Sequence, residues 1–217
     1  MNPYIALAKT AVENYIKKEK IISPPENLPE EFYRRRAGTF VTIEKKDGLR
    51  GLPRSEPKVL LRGCIGTYLP TRVNIAEEII HNAVAAATED YRFGPIQEEE
   101  LLQLSYTVYI LNYPELVEDI KKLNPKKFGI IVKTAPFTYP NENVAIDEAS
   151  PHLPPHLSLE RDSAFNGKVP YKSGLLLPDL EGVDTAEQQL SIACQKGGID
   201  FEKEKVFIYR FTVEKYQ

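Results

Sequence analysis

Leu61-Arg62-Gly63-Cys64-Ile65-Gly66-Thr67-Tyr68 is the stretch on which the fold turns. It continues the apolar run Val59-Leu60-Leu61, so it reads as a strand that acquires an arginine, a cysteine and two glycines within five residues. Glycine weakens a strand, and two of them here imply that a ligand or another backbone approaches closely. Side chains alternate along an extended backbone, so Arg62 and Cys64 are expected on one face, with Gly66 next on it. A guanidinium beside a thiol favours the thiolate, so Cys64 reads either as a candidate nucleophile with Arg62 as its anion anchor or as a small buried residue of a tightly packed strand. An arginine among apolar strand residues needs a partner, and Asp90 and Arg92 of Asp90-Tyr91-Arg92-Phe93 are the expected companions.

Working outward, Ile5, Ala8, Val12, Tyr15 and Ile16 recur at helical steps and predict a helix over about residues 3–19, with Pro3 suited to its first turn. Pro24, Pro25 and Pro29 then impose an extended connector. Strands are expected over Thr39–Glu44, 59–68, Ser105–Leu111, Phe128–Lys133, Gly174–Leu177 and Val206–Val213. Asn74 is the expected cap of a helix to about Thr88, with Glu77 three residues on. Asp184 is the expected cap of a last helix, over 185–196, closed by Gly197-Gly198. Six strands with interspersed helices and no regular alternation predict an α+β fold with a largely antiparallel sheet flanked by helices. No internal repeat is read from the sequence.

The order of these blocks resembles the AMMECR-one domain family, also called the AmmeMemoRadiSam system protein A family. The resemblance is carried by residues 61–68 and by Arg36-Ala37-Gly38-Thr39-Phe40-Val41-Thr42, Ala85-Ala86-Ala87, Asp90-Tyr91-Arg92-Phe93, Phe128-Gly129-Ile130-Ile131-Val132, Gly174-Leu175-Leu176-Leu177-Pro178 and Lys196-Gly197-Gly198-Ile199. It implies one AMMECR-one-like domain over residues 1–217, with room for a smaller second lobe. It also implies partnership with Memo-type and radical S-adenosylmethionine proteins in a protein- or cofactor-modification system. The candidate binding residues, read from the signature strand and its charged companions, are Arg62, Gly63, Gly66, Thr67, Asp90 and Arg92. Two segments depart from the family pattern: a longer connection between the Phe40 strand and Arg62, and an insertion over 134–172. The insertion holds six of the 17 prolines and two of the three histidines.

Composition narrows the function. Charge is nearly balanced, at 28 basic against 31 acidic residues, so nucleic-acid binding starts low. Cys64 and Cys194 lie 130 positions apart, and prolines interrupt the His152/His156 pair, so no metal site and no cofactor are expected. His81 is expected on the polar face of its helix, and Arg34-Arg35-Arg36 at a solvated helix end. Tyr106, Tyr109 and Tyr113 read as sheet-packing residues rather than a stacking platform. Without a basic-then-apolar leader or about 18 consecutive apolar residues, the chain reads as cytoplasmic and without membrane contact. Three roles follow: an accessory module of the modification system, an enzyme in which Cys64 attacks a small anionic or acyl substrate, and, as a distant third, nucleotide or RNA binding at the same glycine-rich surface.

Overall fold

The computed structural model describes residues 1–46, 59–134 and 172–217. The long connection after the Phe40 strand and most of the 134–172 insertion, with His152 and His156, lie outside the described residues. The chain divides into two compact units, Met1–Leu111 with Glu214–Gln217, and Asn112–Val213. Each unit carries its own antiparallel sheet of four strands, so the expected α+β class holds with two sheets rather than one.

In the first unit, α1 (Pro3–Lys18) starts where the Asn2 side chain accepts from the Tyr4 N–H at 3.0 Å. Leu7, Ala8, Ala11 and Val12 form its buried stripe. A short helix, α2 (Glu31–Arg34), is anchored by the fully buried Phe32. The strands β1 (Thr39–Lys46) and β2 (Val59–Gly66) pair antiparallel, and α3 (Ile75–Thr88) packs against both. Asn74 caps α3 as expected, accepting from the Glu77 N–H at 3.0 Å. A 3₁₀ segment, Glu98–Gln103, leads into β3 (Leu104–Leu111), which pairs with β1. Tyr106 lies in the apolar core formed with α1 and α3, while Tyr109 lies outside that cluster, so the two tyrosines serve different faces of β3.

In the second unit, β4 (Glu115–Val117) pairs with β7 (Phe207–Phe211), which pairs with β5 (Gly129–Lys133), which pairs with β6 (Ser173–Leu176). The helix α4 (Ala186–Gly197) packs on β5 and β6. Its cap is Thr185 rather than Asp184. The Thr185 hydroxyl accepts from the Gln188 N–H, while the Gln188 side chain accepts from the Thr185 N–H. That reciprocal box satisfies two end donors at once and fixes the helix start one residue later than expected.

The strand expected over Val206–Val213 is two strands. Beyond Phe211 the chain leaves the second sheet, and β8 (Val213–Tyr216) joins the first, on the far side of β3. There the Tyr216 ring stacks on Tyr4 with centroids 4.0 Å apart, and Arg35 forms a bidentate pair with Glu214. Arg35 is therefore a structural tie for the C-terminal strand rather than part of a solvated helix end.

The sequence shows no repeat, yet the chain path repeats. In β1–β2–α3–β3, as in β5–β6–α4–β7, the second and third strands flank the first, and the helix falls between them in the chain. Gly63 on β2 and Gly174 on β6 occupy matching places. A Cβ at Gly63 would overlap the Ala86 carbonyl of α3, and one at Gly174 would overlap the Ala193 carbonyl of α4. Four residues after each helix cap stands a buried polar side chain, Glu78 in one copy and Gln189 in the other.

Candidate functional site

The glycines of residues 61–68 are explained by backbone contact. Gly63 admits α3, and a side chain at Gly66 would collide with Phe40 and the Thr39 carbonyl of the neighbouring strand. Thr67 is held on two sides: its N–H donates to Thr39 O at 2.9 Å and its hydroxyl donates to Glu78 at 2.7 Å. Glu78 is only 1% exposed. It also accepts from the Thr71 hydroxyl and from the backbone N–H groups of Thr71 and Arg72, at 2.7–2.9 Å. Four donors satisfy this buried carboxylate and fix the turn between β2 and α3.

Arg62 is not paired with Asp90. The β1–β2 register shifts between Ile43 and Glu44, which face Gly63 and Leu61 and leave Arg62 as the extra residue of a bulge. The bulge breaks the count of two on which a shared face with Cys64 rests. From it, the Arg62 guanidinium binds both oxygens of Glu100 at 2.9 Å and donates to the Gly94 carbonyl at 2.8 Å. Lys45 reaches the same carboxylate at 2.9 Å, and the Gln97 N–H donates to it at 3.0 Å. These groups, Arg62 foremost, hold the Glu100 carboxyl down at about 2. An arginine engaged on three sides, with its side chain 16% exposed, is a structural tie and has little capacity left for a ligand.

Asp90 and Arg92 instead close the free edge of β2, the outermost strand of its sheet. The Cys64 N–H donates to Asp90 Oδ2 at 2.8 Å. Arg92 Nη2 lies 3.5 Å from the Cys64 carbonyl oxygen. The two side chains grip each other through Nε to Oδ1 at 2.9 Å and Nη2 to Oδ2 at 2.6 Å. A carboxylate and a guanidinium thus take the place of a neighbouring strand's acceptor and donor. Arg92 chiefly, with the Cys64 N–H helping against the cost of burial, holds the Asp90 carboxyl at about 2. The same pairing raises the Arg92 pKa, with a smaller electrostatic contribution from Cys64.

The Cys64 thiol itself is half-buried and accepts from the Thr42 hydroxyl at 3.2 Å, across the strand pair in which Thr42 faces Cys64. Cys194 is buried in the second unit, and burial pushes its thiol up. His81 is half-buried, and burial, followed by the charge of Arg72, lowers its pKa. Among the described residues, no group of three or more His, Cys, Asp or Glu side chains is arranged to hold a metal ion. No helix of the described residues is long and apolar enough to cross a membrane.

The structure therefore brings Cys64, Asp90 and Arg92 together and assigns Arg62 to a neighbouring cluster with Glu100 and Lys45. Sequence reasoning missed Thr42, Glu78 and Glu100. Thr42 was hidden because its facing of Cys64 depends on a register set across a long connection. Glu100 sits in Glu98-Glu99-Glu100, a run that reads as solvated surface.

Comparison with known proteins fits this architecture. The AMMECR1 family model matches residues 5–216, and the chain belongs to that family. A Thermotoga maritima protein is 43% identical over 216 residues, spanning 100% of this chain and 98% of its own length. A Clostridium acetobutylicum protein is 33% identical and covers 99% of this chain, but the match takes up only 35% of that protein. The crystal structure of an uncharacterized protein from Pyrococcus horikoshii superposes with a TM-score of 0.69 at 29% identity, covering 98% of this chain and 88% of that one.

Proposed function

We propose that the chain is an accessory module of a cytoplasmic protein- or cofactor-modification system, with Memo-type and radical S-adenosylmethionine proteins as its partners. The observation that carries this reading is the Clostridium acetobutylicum relative, in which the matching region is about a third of a longer polypeptide. A fold that is joined to other chain in one organism and is nearly the whole protein in another is being used as a part. The β2 edge supplies contact surface: Val59, Leu60 and Leu61 are each more than 40% exposed, and Tyr91, between the two clamp residues, is 95% exposed. Mixing the purified chain with its own organism's Memo-type and radical S-adenosylmethionine proteins, then sedimenting the mixture, tests the reading. A defined complex that persists in Cys64→Ala and weakens in Leu60→Glu is expected. No complex with either protein, singly or together, would sink it.

A second reading, an enzyme with Cys64 as nucleophile, is favoured by one observation. In the second copy of the chain path the residue after the matching glycine is Leu175, so the fold does not require a thiol there. Iodoacetamide should then modify Cys64 of the native protein at neutral pH well before Cys194. Equal resistance of both thiols would refute it.

A further inference from the structure

We infer that Arg92, rather than Arg62, is the anion anchor of the Cys64 face, and that the ligand meeting this face presents a carboxylate. The inference rests on reading Cys64 as the working centre of β2 and adds the chemistry of what binds there.

Three observations carry it. First, every guanidinium nitrogen of Arg62 is engaged, Nε and Nη2 by Glu100 and Nη1 by the Gly94 carbonyl, so the arginine nearest in sequence to Cys64 has no open nitrogen. Second, Arg92 is 42% exposed at its side chain, and among the described residues nothing accepts from its Nη1. Its Nε and Nη2 are held by Asp90, whose side chain is 3% exposed. The buried carboxylate fixes one edge of the guanidinium plane and, with the Cys64 carbonyl taking the other Nη2 hydrogen, leaves the two Nη1 hydrogens as charged outward donors that suit a carboxylate partner. Third, the fixed guanidinium touches the residue that carries the thiol, with Nη2 3.5 Å from the Cys64 carbonyl. Phe93 supports it from one side, its ring centroid 5.3 Å from the Arg92 Cζ. An arginine needed only to close the β2 edge could turn its remaining donor inward; this one is oriented and left open.

Two alkylating reagents that differ in one group test the assignment. Iodoacetamide and iodoacetate both react by attack of the Cys64 thiolate on their methylene carbon. The S–C bond forms, the C–I bond breaks, iodide leaves, and the thiol proton has already passed to buffer. Only iodoacetate carries a carboxylate. The ratio of its rate to that of iodoacetamide therefore cancels any change in thiolate population and isolates the anchor. In the native protein the ratio should exceed that of the urea-unfolded chain by roughly five-fold, and should fall as salt is added. Arg92→Gln should return it to the unfolded value, Arg92→Lys should keep part of it, and Arg62→Gln should leave it unchanged. Thermal unfolding of each variant confirms that a fold is being compared. Protection of Cys64 by succinate would assign the carboxylate to a small ligand, and protection by polyglutamate alone to an acidic protein segment. A ratio insensitive to Arg92, protection by neither acid, or no labelling of native Cys64 by either reagent overturns the proposal. Labelling of native Cys64 at a ratio insensitive to Arg92 sinks the anchor alone, whereas absence of labelling sinks the reading of Cys64 on which it rests, so the two failures are told apart.

Discussion

Asp90→Asn probes the clamp on the β2 edge while keeping its shape. Asparagine can still accept the Cys64 N–H through Oδ1, while its NH₂ takes the place of the oxygen that accepts from Arg92 N–H and Nε–H, so the substitution removes the charge that faces Arg92 and the hydrogen bonds on that oxygen. The Asp90 carboxyl is lowered from 3.8 to about 2, chiefly by Arg92. A lowering of that size corresponds to about 2 kcal/mol of stability at neutral pH, and solvent around the half-exposed Arg92 reduces it to about 1–2 kcal/mol. The sign follows from the direction of the shift. A carboxyl whose folded pKa is depressed stabilises the fold above its ordinary pKa, and that contribution is lost as pH falls from about 4 toward 2. Urea titrations followed by far-UV circular dichroism at pH 7 and pH 2.5 measure it. The variant should be the less stable protein at pH 7, and the gap should shrink to roughly a third at pH 2.5. Glu100 titrates in the same acid range but does so in both proteins, so it cancels in the difference. No gap at pH 7, or a gap of equal size at both pH values, would refute the reasoning.

The paired glycines should fail alike. Gly63→Ala and Gly174→Ala each drive a methyl into a helix carbonyl and should cost about 1–3 kcal/mol or more, read as lower melting temperatures; a neutral outcome at either would show that helix and strand can separate freely. Glu78→Gln replaces an acceptor of four hydrogen bonds with a group that must place an NH₂ against donors. It should cost about 1–3 kcal/mol and speed hydrogen exchange at the Thr71 and Arg72 amides, whereas unchanged exchange would mean that the turn holds itself.

Local signals were legible where their causes are local. The Asn74 cap, the proline start of α1 and the apolar strand β5 each depend on a few adjacent residues, and all were read from sequence. Asp184 and Thr185 are neighbouring cap formers, and only the reciprocal bond with Gln188 separates them. The division of the last strand was not legible, because Val206–Val213 is unbroken by any turn residue while the chain changes sheets near Thr212. The Arg62 partner was misplaced for a related reason. Asp90 lies closer in sequence and in a tighter motif, but the bulge at Arg62 sends the guanidinium toward the 3₁₀ segment, where Glu100 meets it. Glu78, in the first turn of α3, looks like an ordinary helix-dipole residue until the turn over Thr67–Arg72 folds across it.

The repeated chain path separates what the fold requires from what it merely tolerates. Both copies keep a glycine where the second strand meets its helix, an N-cap side chain accepting from the third helical N–H, and a buried polar group one residue further on. These features answer to packing and to unsatisfied backbone groups, and any sequence adopting this path faces the same demands. Around the glycine the copies diverge: Arg62 and Cys64 flank Gly63, whereas Ser173 and Leu175 flank Gly174. The serine and leucine show that neither charge nor thiol is needed to build the strand. Arg62 then brings Glu100 and Lys45 into its neighbourhood, and Cys64 offers its backbone to the Asp90–Arg92 clamp. Such ionic constructions carry a desolvation cost that an apolar pair would avoid. Their place on the second strand of the first copy, where the other copy carries Ser173 and Leu175, makes the Cys64 edge, rather than the glycine-rich strand as a whole, the place where this molecule departs from what its fold demands.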